Sequence, residues 1–174
     1  MNAIQNLIWA VSLARKNQSH QIENCTEAQV QWKLAPEIWS GAENTEHLFW
    51  AEQGGICGMW KTIHAIRAGK IERRTESVHQ DMTIEQIIRL TWQPKEIAPA
   101  VAEPRMGGPL VFWHNSLNNL QGMLEDFGRD LQVDELSLQA HPHPISGPLN
   151  FHQRLQFLRF HIDRHREQVA NLPA

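Results

Sequence analysis

The sequence predicts an all-α fold, a four-helix bundle with a long crossover between its second and third long helices. Three observations lead there. Apolar residues recur at steps of three and four along four long segments. No stretch alternates with period two for the length of a strand, Val101 to Met106 being interrupted by Glu103 and Pro104. Capping signals and prolines fall between the four segments rather than inside them. At 174 residues the chain has the size of one domain with its own core, and residues 1–174 are read as a single unit.

The first segment places Ile4, Leu7, Ile8, Val11 and Ala14 at helical spacing, which predicts a helix from about Asn2 into the low twenties. Its basic pair, Arg15-Lys16, follows the apolar run Leu7 to Val11 instead of preceding it. That is the wrong order for a secretory signal, so a cytoplasmic location is expected. Residues 31–39, with Pro36, read as a connection. Ser40 and Glu43 have capping-box spacing and open a helix expected to reach Gly69, which suits the left-handed position past a helix end. Gly54 and Gly55 lie inside it, each costing roughly 1 kcal/mol against alanine. Ile56, Trp60, Ile63 and Ile66 resume the stripe beyond them, favouring one long helix, with a break at the glycine pair as the alternative.

Residues 71–80 are polar and charged, a solvated connection. Thr83 and Gln86 form another capping box, opening a short helix that Pro94 must end. Prolines 94, 99 and 104 exclude regular structure up to Gly108. Pro109 suits the first position of the next helix, whose stripe is Leu110, Leu117, Leu120, Leu124, Phe127 and Leu131. The segment from His141 to Pro148 is a stiff loop. Asn150 with Gln153 marks the start of the last helix, and Pro173 stands just beyond its end.

Composition excludes several classes of function. Lys+Arg 16 against Asp+Glu 19 gives a net charge of -3, which argues against a nucleic-acid footprint. No run approaches the ~20 apolar residues of a membrane span. Cys25 and Cys57 lack CxxC spacing and read as free thiols in a reducing compartment. Ten histidines beside two cysteines and no tyrosine point to imidazole as the ligand if a metal is bound.

The last helix carries the chemical signal. Its stripe runs Phe151, Leu155, Leu158, Ile162, His165, Val169, so His165 faces inward. His161 lies four residues earlier, about 40° away around the axis, and side chains at that spacing start ~5–6 Å apart. Two imidazoles can therefore converge on one ion. Taken alone, such a pair is more often a pair of hydrogen-bonded core or surface histidines than a metal site, and Ile162 after His161 excludes the HExxH metalloprotease signature. A third ligand must come from another helix. His47 is chosen, in a stretch apolar nearly all round and hence deeply buried, with Glu43 one turn earlier as an orienting acceptor or, more simply, a capping residue. His114, in phase with Leu110 and Leu117, is the rival and a candidate for the pocket lining. His141 and His143 sit in the loop and can approach the site, whereas His20, His64, His79 and His152 are assigned to the surface. Seven tryptophans, at 9, 32, 39, 50, 60, 92 and 113, either line a pocket or fill the core, with the core preferred.

The stretch from Trp39 to Leu48 resembles the W-S-x-x-E-x-x-x-H-L start of the second helix in the DinB/YfiT-like superfamily. The closing segment, from His143-Pro144 through Gly147 to His161-Ile162-Asp163-Arg164-His165 and Gln168, resembles that family's final loop and helix. The resemblance spans about residues 39 to 169. It implies a four-helix bundle that holds a divalent metal (Zn, Ni or Fe) through three histidines, which correspond to His47, His161 and His165, and it implies a homodimer. The crossover and the Gly54-Gly55 pair match nothing in the pattern.

Three neutral imidazoles leave an ion its full charge, so it can acidify water, polarise a carbonyl or hold a thiol as thiolate. Two enzymes fit: a metal-dependent hydrolase, or a transferase using a low-molecular-weight thiol cosubstrate such as bacillithiol, mycothiol or glutathione, as in members the chain resembles. Hydrolysis requires a carboxylate base, for which only Glu43 and Glu46 offer themselves, and this tilts the reading toward transfer. A third reading is a non-catalytic helical bundle that binds a ligand or partner and uses its histidines structurally.

Overall fold

A computed structural model describes residues 1–92 and 98–170. Among these residues the protein is all-helical. Six α-helices follow in order: α1 (Ala3–Glu23), α2 (Glu27–Gln31), α3 (Gly41–Arg67), α4 (Ile84–Thr91), α5 (Leu110–Asp130) and α6 (Phe151–Ala170), with 3-10 turns at Ala100–Ala102 and Val133–Ser137. No strand occurs among the described residues; two isolated bridges, Gln139 with Asn150 and His143 with Gly147, close the loop before α6. The helix stop expected at Pro94 and the position of Pro173 lie outside the described residues. Among the described residues no helix is long and apolar enough to cross a membrane.

Local signals set the helix starts. Asn2, Ser40 and Thr83 each exchange hydrogen bonds with the Gln or Glu three residues on, and Asn150 does so with Gln153. Thr26 and Gln29 do the same for α2, which sequence periodicity misses because five residues span little more than one turn. Pro109 is the residue before α5 and not its first, with extended backbone (φ -71, ψ 144). The 3-10 turn at Ala100–Ala102 sits where three prolines were expected to exclude regular structure; one such turn needs only a single i→i+3 bond, from the Ala102 amide to the Pro99 carbonyl (2.8 Å).

α1 packs on α5 and α6, and α3 packs on the same two helices. Their shared core includes Val11, Leu48, Ile56, Ile63, Leu124, Phe127, Leu155 and Ile162, each buried large side chain contributing about 1.5–3 kcal/mol. α3 runs unbroken through Gly54 and Gly55. The second glycine has a packing reason: a Cβ there would meet Leu158 at 3.4 Å and the Arg154 guanidinium at 3.6 Å, so its absence lets α6 come close. α3 ends as its sequence predicts. Gly69 adopts φ 69, and the amides of Gly69 and Lys70 return to the carbonyls of Ile66 (3.0 Å) and Ala65 (2.9 Å).

The connection from α3 to α5 is held in two places. α4 buries Ile84, Ile87 and Ile88 against Leu149 and Phe157 at the start of α6. Further on, the chain folds over the beginning of α3, where a buried carboxylate grips it. Glu46 accepts from the amides of Arg105 (2.7 Å), Met106 (2.8 Å) and Gly107 (2.9 Å) and from the Trp50 indole (3.1 Å). Gly107 and Gly108 take φ 65 and 99, the left-handed region that presents consecutive amides to one acceptor.

Candidate metal centre

His47 stands on the second turn of α3, and His161 and His165 stand one turn apart on α6. All three rings are buried, at 4, 5 and 6% exposure. The His161 Nε2 lies 3.1 Å from the Nε2 of His47 and 3.1 Å from that of His165. Tertiary packing thus gathers three residues from two helices separated by more than a hundred positions, and their ligand atoms form one compact group able to hold a metal ion.

Hydrogen-bond accounting fixes the tautomers. The His47 Nδ1 faces the Ala102 carbonyl at 2.8 Å. A carbonyl only accepts, so the proton is on Nδ1 and the His47 Nε2 presents a lone pair. The His165 Nδ1 faces the Asn44 Oδ1 at 2.8 Å. The orientation of that amide is itself determined, because the Asn44 Nδ2 donates to the carbonyls of Ser40 (2.9 Å) and Trp39 (3.3 Å). The His165 Nε2 is therefore also a lone pair. Both point at the His161 Nε2, whose single proton can serve at most one of them, while the His161 Nδ1 is buried without a partner. Three neutral rings leave at least one nitrogen pair in contact with no hydrogen between.

Protonation does not relieve this. Burial pushes His47 below the ordinary histidine value, and burial together with the neighbouring rings pushes His161 and His165 well below it. A bound cation does relieve it. Nitrogens 2.0–2.1 Å from one ion sit roughly 2.8–3.4 Å from one another at octahedral to tetrahedral angles, and the two 3.1 Å separations from the His161 Nε2 fall in that range. The donor set fits a divalent ion of the zinc type.

Two predictions follow from these contacts. Replacing Asn44 by Leu frees the His165 ring and should weaken metal binding roughly 10–100-fold, as losing an orienting partner does elsewhere; competition with a chromophoric chelator measures it. The second concerns pH. In the metal-free protein these rings are neutral when folded, but below about 6.5 they protonate once the chain unfolds. Their contribution is complete above that pH and is lost as pH falls, at about 1.4 kcal/mol per pH unit for each ring. The melting temperature of chelator-treated protein should drop between pH 7 and 5, and a flat profile over that range would contradict the buried neutral state.

The triad opens on a cavity of about 1180 Å³. Trp32, Trp39, Trp50 and Trp92 line it, so most of the tryptophans are not core residues; Trp113, at 1% exposure, is. Phe157 stacks on His161 with centroids 5.3 Å apart, and Arg164 lies over the Trp92 ring at 5.2 Å.

The other expected site residues are distributed as follows. Glu43 closes the capping box with Ser40 (2.8 Å) and pairs with Lys33 (2.9 Å); the orienting acceptors are Ala102 and Asn44. His114 is held by Ser19 (2.7 Å) and Asn118 (3.0 Å) on another face of the molecule, outside the triad and the cavity lining. His141 and His143 both reach the cavity. His79, assigned to the surface, is half-buried and ties the segment between α3 and α4 to the Ser146 carbonyl (2.8 Å). Sequence reasoning missed Asn44, Ala102 and Arg154. For Asn44 a signal existed, an amide about one turn before His47 in the same helix. For Ala102 there was none, because it acts through its backbone.

The family model for the DinB superfamily matches residues 10–169, an interval that contains all three histidines and the cavity. The searches of curated proteins and of solved structures returned no match.

Proposed function

The chain belongs to the DinB superfamily, and from that premise we propose that it is a divalent-metal-dependent enzyme whose ion is held by His47, His161 and His165, acting as a low-molecular-weight-thiol-dependent transferase. The observation that carries the reading is the approach of the His47 and His165 Nε2 atoms to the His161 Nε2, each at 3.1 Å, both presenting lone pairs by virtue of the partners on their Nδ1 atoms. Structural histidines have no reason to present lone pairs to one another in a buried place. When bound, the ion supplies Lewis acidity, polarising a carbonyl or keeping a thiol ionised. The protein's own residues do the rest. Asn44 and Ala102 hold two rings in the ligating tautomer. Trp39, Trp92 and Phe157 wall the cavity around the triad and restrict water there.

Two further observations favour transfer over hydrolysis. Among the described residues the carboxylates lining the cavity are Glu37 and Glu103, both exposed at its rim. Glu46, the buried acid beside His47, is committed to four donors that hold it below the usual carboxylate range although burial opposes them. Among the described residues no buried base is therefore free beside the triad. Neither Cys25 nor Cys57 is among the cavity residues, so a reacting thiol arrives with a cosubstrate. In this reading the four long helices form the bundle, the 68–109 connection is its crossover, and the protein is cytoplasmic and homodimeric.

Purified protein should carry about one divalent ion per chain, measured by elemental analysis. It should turn over electrophiles only with an added thiol. Turnover with no thiol would move the assignment to hydrolysis, and protein that cannot be loaded with Zn, Ni or Fe would remove the metal centre altogether.

A further inference from the structure

Two turns before His161, on the same side of α6, lies Arg154. Seven residues place it about 10 Å along the helix axis from His161. It is 5% exposed and lines the same cavity as the triad. Among the described residues no carboxylate pairs with it. Its Nη2 faces the His141 Nε2, and its Nη1 is buried without a hydrogen-bond partner. An arginine so placed carries a full charge with nothing to balance it, and burial pulls it down to about 10 without neutralising it at physiological pH.

Its polar neighbours are imidazoles that bring no negative charge and whose remaining N–H groups add further donors. A guanidinium cannot accept, so the His141 Nε2 must, which puts the proton on the His141 Nδ1, another buried atom with no partner. The His143 Nδ1 accepts from the amides of Ile145 (3.2 Å) and Ser146 (3.0 Å), which puts its proton on Nε2. Burial and the Arg154 charge push His141 down to about 4 and His143 down to about 3, so both rings are neutral. α3 is bare opposite this group. A Cβ at Gly58 would lie 2.5 Å from the His141 ring, and one at Gly55 would lie 3.6 Å from the Arg154 Nη2.

We propose that Arg154, with His141 and His143, forms a carboxylate-binding subsite, and that the molecule reacting at the triad is a small carboxylate-bearing compound spanning the two. The guanidinium supplies one positive charge and the two neutral imidazoles supply donors, which matches a monoanion with two acceptor oxygens. A phosphate dianion would leave one charge unmatched. The subsite deepens the reading above by naming its substrate class. It rests on that reading only for what happens at the histidine triad, since anion binding needs no metal.

The test uses chelator-treated, full-length protein at constant ionic strength, with tryptophan fluorescence as the readout and benzoate, benzamide and inorganic phosphate as probes. Benzoate should saturate at least tenfold more tightly than its neutral counterpart benzamide. Arg154→Met should erase that preference, Arg154→Lys should keep part of it, and His161→Ala should leave it intact. Equal binding of benzoate and benzamide to the wild-type protein overturns the subsite, as does an unchanged preference in Arg154→Met. Loss of the preference in His161→Ala assigns the anion to the triad instead, and tighter binding of phosphate than of benzoate overturns the carboxylate class. Arg154→Met should melt no lower than wild type, because it removes an unbalanced buried charge. A large fall in its melting temperature overturns the proposal by making Arg154 a structural residue. Metal content, read separately on the untreated protein, reports on the triad alone.

Discussion

His161→Ala is expected to weaken metal binding by more than the roughly 10–100-fold that loss of an orienting partner costs. Its Nε2 is the atom both other rings face, so its removal leaves the lone pairs of His47 and His165 without a common point. His47→Ala should match it, because that ring brings the only ligand from α3. His114→Ala should change nothing, since its ring is engaged with Ser19 and Asn118 away from the triad. Chelator competition on the three variants separates these outcomes. A loss in His114→Ala together with full retention in His47→Ala would falsify the ligand set. Relieving the lone-pair contact also predicts that metal-free His161→Ala is not severely destabilised, so the loss can be read on folded protein by circular dichroism.

The second large effect is expected at a residue that touches no metal. Glu46→Ala should destabilise the protein by about 3 kcal/mol or more, because three backbone amides of the 105–107 segment and the Trp50 indole lose a charged acceptor that is itself fully buried. For a chain of this size that corresponds to a fall of roughly 6–12 °C in melting temperature. Glu46→Gln keeps one acceptor oxygen and should lose less. The same change should reach the triad. The 105–107 segment that Glu46 grips follows directly on the turn bearing Ala102, whose carbonyl holds the His47 ring. Metal affinity should therefore fall in Glu46→Ala while His161 and His165 stay in place. A variant with wild-type melting and wild-type affinity would show that the 105–107 segment is held by other contacts.

Much of the fold can be read from the chain because helix starts are local events. Ser40 with Glu43, Thr83 with Gln86 and Asn150 with Gln153 each satisfy amides within three residues. The stripes of α1, α3, α5 and α6 follow from the 3.6-residue period alone. The elements that escaped are the short ones. α2 and the 3-10 turn at Ala100–Ala102 are too brief to show a period, and the latter depends on its packing against α3. Gly55 shows the other limit. Its cost to the helix is visible in sequence, but its use is visible only with Leu158 and Arg154 lying across it.

The candidate site divides along the same line. The spacing of His161 and His165 places two imidazoles on one face of a helix, because helical geometry alone sets that distance. Sequence by itself also determined the all-helical class, most of the helix boundaries and the choice of imidazole over thiolate. Helical phase could not choose a third histidine between His47, on a helix apolar nearly all round, and His114, on an amphipathic one; the motif resemblance named His47, and tertiary packing is what brings its Nε2 to 3.1 Å from that of His161. Only packing supplied Ala102 and Asn44 to fix two tautomers, and only packing left Arg154 without a counter-charge among the described residues. Those facts depend on atoms brought together from distant segments, and no period or motif in a single chain encodes the position of a carbonyl fifty-five residues away.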